Sequence, residues 1–118
     1  MAILPQEKRQ FPRLNVKEEM RLQVRGLPSF NNAVTEDISA GGLGFINNEY
    51  IAPNTTLSLE VNVLSRILHS FGRVAWASPL PHNDRYRVGV EFAEMDPRER
   101  NFLRDYINLR AGSLNGLA

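Results

Sequence analysis

The chain contains no cysteine, which excludes a disulfide framework and thiolate chemistry. No uninterrupted apolar window approaches the ~18 residues that a spanning helix needs, so no membrane insertion is expected. The opening stretch MAILPQEKRQFPR has no apolar run long enough for a secretory h-region, and the default expectation is a cytoplasmic location. Charge of one sign is also lacking, since the formal net charge is +1. Lysine is scarce: Lys8 and Lys17 stand among 14 basic residues, and the rest are arginines. Arginine carries a planar fork of donors suited to phosphates, carboxylates and bases. Aromatic residues make up 8% of the chain, too few to line a groove for single-stranded nucleic acid, so no DNA or RNA partner is expected.

What is present fits one compact domain. A length of 118 residues leaves no room for two. Hydrophobic residues at 42% and charged residues at 23% argue against disorder. Residues 1–18 read as an N-terminal arm, with Pro5, Pro12 and several charges but no sustained period. Pro12 also pushes Phe11 away from helical conformations.

From Met20 the pattern becomes one of strands. Met20, Leu22 and Val24 alternate with polar neighbours. Val34 and Ile38 are expected on one face of the next strand, with Ala33, Thr35, Asp37 and Ser39 on the other. Leu43 to Asn47, Leu57 to Val63, Ile67 to Ala77 and Tyr86 to Phe92 read as four more, the fifth with a bend at Gly72. A helix follows. Asp96 is its expected N-cap, Pro97 its first residue and Glu99 the acidic partner of a capping box. Phe102, Leu103, Tyr106 and Ile107 form its apolar stripe, and Gly112 marks its stop. The expected fold is an all-β barrel of about six antiparallel strands with one C-terminal helix over an open end or flank. Residues 19–111 make the barrel and helix, and 112–118 a frayed tail.

Two short motifs carry the functional reading. Arg9-Gln10-Phe11-Pro12-Arg13 lies in the arm, and Asp37-Ile38-Ser39-Ala40-Gly41-Gly42 ends the second strand. Together they resemble the two signatures of PilZ domains, Arg-x-x-x-Arg and Asp/Asn-x-Ser-x-x-Gly. Gly72-Arg73-Val74-Ala75-Trp76 and Tyr86-Arg87-Val88-Gly89-Val90-Glu91-Phe92 look like later strands of that family. The first signature is weak alone, since Arg21/Arg25 and Arg100/Arg104 repeat its spacing on a strand and on the helix. The ordered combination is far more specific.

The resemblance implies cyclic di-GMP as ligand, with no cofactor besides. Asp37 offers two acceptor oxygens to the N1–H and N2 amino group of a guanine edge. Ser39, Gly41 and Gly42 belong to the same corner, the glycines allowing close backbone approach and positive φ. Arg9 and Arg13 are suited to grip phosphate or lie on a base, and they span about 13 Å when extended at ~3.3 Å per residue. Lys8 reads as either a phosphate partner or a surface charge. Trp76 reads first as core, and second as an aromatic that packs on a guanine. On this view the arm folds onto the barrel when ligand binds, and a downstream protein partner reads the change. The family's outputs include motility, pili, exopolysaccharide and virulence. The alternative is a protein-interaction adaptor of the same fold that binds no nucleotide. No enzyme is expected, because there is no catalytic triad, Gly-rich phosphate loop or metal-ligand spacing; His69 and His82 stand apart from each other and from any carboxylate cluster.

Overall fold

The computed structural model describes residues 12–115, with side chains through Ala111. Among them are six strands and one helix: β1 (Glu19–Val24), β2 (Asn31–Ser39), β3 (Gly42–Asn47), β4 (Thr56–Val63), β5 (Arg66–Pro79), β6 (Tyr86–Met95) and α1 (Pro97–Asn115). All pairings are antiparallel, and the strands close into a barrel in the order β1-β2-β3-β6-β5-β4. Closure leaves no sheet edge open. The alternating residues of β4 show why it forms: Leu57, Leu59, Val61 and Val63 all enter the core, while the residues between them face out. Phe45, Leu22, Val74 and Val88 fill the same interior.

The helix begins as expected, with the Asp96 carboxylate accepting from the Arg98 amide at 2.8 Å. Glu99 does not complete a capping box. Its carboxylate accepts from the His69 amide of β5 at 2.8 Å, tying the first helical turn to the barrel. Leu103, Tyr106 and Ile107 are buried in the core cluster, with Phe102 packed against it. The helix continues past Gly112 to Asn115. No helix among the described residues is long and apolar enough to cross a membrane.

Packed structure starts earlier than Met20. Leu14 is 4% exposed and forms an antiparallel bridge with Ile38, with N–H···O distances of 2.8 and 2.9 Å. Thr35, wholly buried, donates its hydroxyl to the Val16 carbonyl at 2.7 Å and accepts from the Glu18 amide at 2.8 Å. Residues 14–18 of the expected arm are therefore stitched onto β2.

Thr35 also corrects the expected facing of β2. Val34 is 45% exposed, whereas Thr35 and Ile38 both point inward. The cause is a β-bulge: Thr35 pairs with Phe45 and Asp37 with Gly44, so Glu36 is one extra residue on β2. The inserted residue reverses the alternation, so that Val34 and Thr35 change places while Asp37 stays opposite Ile38, facing out as expected.

Candidate functional site

The second motif sits where β2 turns into β3. The Ser39 hydroxyl accepts from the amides of Gly41 and Gly42, both at 3.2 Å, and donates to the Gly42 carbonyl at 3.3 Å. These bonds define a tight hydroxyl-closed turn. They also correct one expectation. The Gly41 and Gly42 amides are already taken by Ser39 and do not point outward as free donors, and neither glycine has a positive φ. Gly42 is required for another reason. A Cβ there would stand 2.1 Å from the Val90 carbonyl oxygen of β6, so only glycine permits the strands to meet.

Asp37 lies beyond the turn, its side chain 24% exposed. One Nη of Arg13 donates to its carboxylate at 3.2 Å. The Leu14–Ile38 bridge produces this contact by pinning the chain one residue after Arg13 and one residue after Asp37. As an exposed ion pair it contributes at most about 1 kcal/mol to stability. Arg9 and Lys8 lie outside the described residues. The adjoining bulge residue, Glu36, accepts from Arg87 Nε of β6 at 2.7 Å.

The cross-strand register extends the site. Asp37 pairs with Gly44, Gly44 with Gly89 and Gly89 with Trp76, so one row crosses β2, β3, β6 and β5. The two central positions carry no side chain. Trp76 is 40% exposed and its indole lies across Gly89, where a Cβ would meet Cε2 at 2.3 Å and Nε1 at 2.4 Å. Trp76 is therefore not core. Val74 pairs with Val90 and Trp76 with Gly89, so Ala75 is a second extra residue that turns the indole outward. The result is a flat row in which the Asp37 carboxylate lies over Gly44 and the Trp76 indole over Gly89. Reading the sequence singly misses Gly44 and Gly89, because only strand register places them between Asp37 and Trp76.

Flatness sets the chemistry. A carboxylate recognises paired N–H donors at an edge, an indole stacks on a planar face, and guanidinium groups serve bases and phosphates. Two open hollows elsewhere, one bordered by Glu19, Val34 and Ile67 and one by His69, Phe71 and Glu99, do not include Asp37. No group of three or more His, Cys, Asp or Glu suited to a metal ion occurs among the described residues.

The family model described as PilZ domain matches residues 7–109. Among solved structures, the chain resembles the Bacillus subtilis inhibitor of motility MotI/DgrA (TM-score 0.78, 17% identity), covering 88% of this chain and 51% of that one. It resembles the PilZ domain of Escherichia coli YcgR, solved with cyclic di-GMP, at TM-score 0.70 and 16% identity, covering 93% of this chain and 97% of that one. The Klebsiella pneumoniae MrkH–cyclic di-GMP complex gives TM-score 0.67 and 13% identity, covering 92% and 55%. The chain thus spans about half the length of MotI/DgrA and of MrkH. No curated protein sequence matches it.

Proposed function

Because this chain belongs to the PilZ domain family, we propose that it is a receptor for cyclic di-GMP that signals through a protein partner and performs no catalysis. The observation that carries the reading is the Arg13 guanidinium seated on the Asp37 carboxylate, which lies over Gly44 next to the Trp76 indole on Gly89. Asp37 takes the Watson–Crick edge of a guanine. Arg13, with Arg9, turns from the carboxylate to the phosphates or a base. Trp76 supplies a stacking face, and Ser39, Gly41 and Gly42 hold the corner in shape. Lys8 adds a cation for phosphate. Residues preceding Leu14 change position on binding, and the partner reads them. YcgR and MrkH, solved with this ligand, support the ligand class, and MotI, an inhibitor of motility, supports motility among the outputs.

Calorimetric titration with cyclic di-GMP, paired with amide chemical shifts, tests the reading. Binding is expected at micromolar affinity or tighter, with shifts concentrated at Asp37 to Gly42. Arg9→Ala, Arg13→Ala and Asp37→Ala are each expected to weaken it about 5- to 150-fold, the value of one good stacked or bidentate contact. An absence of both heat and shifts rejects the receptor. Capture of a partner that survives Arg13→Ala and ignores the nucleotide favours the adaptor instead.

A further inference from the structure

We infer that the cross-strand pair Gly44–Gly89 positions the two recognition side chains, so that a single guanine is read on its edge by Asp37 and on its face by Trp76. The inference rests on the receptor reading and concerns how that site selects a planar base.

Glycines in a barrel have several uses, and their surroundings tell them apart. A Cβ on Gly72 would strike Val90 Cγ1 at 2.5 Å and Leu59 Cδ1 at 2.9 Å, which marks a core-packing glycine. Gly42 faces backbone. Gly44 and Gly89 differ from both. The three atoms nearest a Cβ on Gly44 all belong to Asp37, the first being Oδ1 at 3.3 Å. Those nearest a Cβ on Gly89 all belong to the indole, at 2.3, 2.4 and 2.7 Å. At each glycine the space a Cβ would take is bordered first by one recognition group.

The two glycines are also partners of each other. Paired residues on neighbouring antiparallel strands lie about 5 Å apart. The carboxylate leans over one member of the pair and the indole over the other. Although Asp37 and Trp76 start from strands three steps apart, their functional ends come within about one strand spacing. A purine resting on the indole then presents its edge to the carboxylate. Any side chain at either glycine separates edge from face. At Gly89 a methyl lifts the ring off the sheet. At Gly44 it shifts the carboxylate by a few tenths of an ångström, a smaller disturbance.

The test joins fluorescence with calorimetry, because Trp76 is the sole tryptophan of the chain. Without ligand, Gly89→Ala is expected to shift Trp76 emission to the red at unchanged far-UV circular dichroism. With cyclic di-GMP, Gly89→Ala and Trp76→Ala are each expected to weaken binding about tenfold or more, within the range for loss of a stacked base. In the Trp76→Ala background, adding Gly89→Ala costs nothing further, since the glycine acts through the ring. Gly44→Ala, the milder variant, is expected to weaken binding about threefold with the fold intact, and it serves if Gly89→Ala does not fold. Wild-type affinity in both glycine variants, or a Gly89→Ala cost undiminished in the Trp76→Ala background, overturns the pair's role alone. A wild-type protein that ignores cyclic di-GMP overturns the ligand, and this proposal with it.

Discussion

Two outward faces of the same barrel are built on opposite plans. On the face formed by β1 and β4, long side chains cover the sheet: Arg21 pairs with Glu60 at 3.6 Å and lies 4.3 Å above the Phe30 ring, and His69 approaches Glu60 at 4.0 Å. On the face formed by β3 and β6, Gly42, Gly44 and Gly89 carry no side chains, and the Asp37 carboxylate and Trp76 indole lie over the last two. Exposed charged pairs of this kind contribute little to stability. Removing side chains from the β3–β6 face gives up packing and leaves room for the carboxylate and the indole to lie close on the sheet. β2 belongs to both faces, and its bonds to Val16 and Glu18 form the seam between them.

Substitutions across this divide are expected to differ in a graded way. The largest effect falls on the cleared face. Gly42→Ala forces a Cβ against the Val90 carbonyl and is expected to cost about 3 kcal/mol in urea unfolding. If it proves neutral, the strands are not in close contact there. At the seam, Thr35→Val keeps the shape but strands the Val16 carbonyl and the Glu18 amide, with an expected loss of about 2 kcal/mol.

Next comes Tyr106, whose hydroxyl donates to Glu18 at 2.9 Å and accepts from Arg110 at 3.0 Å. Burial, and then the hydrogen bond to Glu18 and that residue's charge, hold the phenol above its usual 10.0, against a weaker opposing pull from Arg110. The folded chain therefore keeps a proton that the unfolded chain releases. This contribution is complete below about pH 10 and disappears as pH rises through the folded value. Melting curves from pH 8 to about 11 are expected to show that decline in the wild type and a shallower one in Tyr106→Phe. At neutral pH the variant gives up about 1 kcal/mol for the missing bond. The smallest effect falls on the covered face: Arg21→Ala is expected to change stability by no more than about 0.5 kcal/mol and to leave nucleotide affinity untouched. A large loss there erases the distinction between the faces.

The same contrast explains what could be read from sequence. β4 and β6 alternate over most of their length, and the Asp96-Pro97 start of the helix is local chemistry, so all three were legible. Asp37 to Gly42 was legible as a motif. The facing of Val34 and of Trp76 was not. A bulge is one extra residue measured against a partner strand, and alternation within a single strand cannot show it. Both failures lie beside the candidate site, where Glu36 and Ala75 turn Asp37 and Trp76 outward. Departures from local rules tend to gather at such places. Leu14 is not legible because one bridge has no period, and Gly44 and Gly89 are not because their significance lies in register.

The bridge at Leu14 also acts as a tether. Consecutive Cα atoms are about 3.8 Å apart, so Arg13 never leaves the neighbourhood of Asp37 while Leu14 stays buried. Linkage this short holds the guanidinium at an effective concentration in the millimolar range or above. The carboxylate thus has a resident counterion, and any arriving molecule competes with it or recruits it. Ions dissolved in the surrounding medium meet a carboxylate already paired within its own chain.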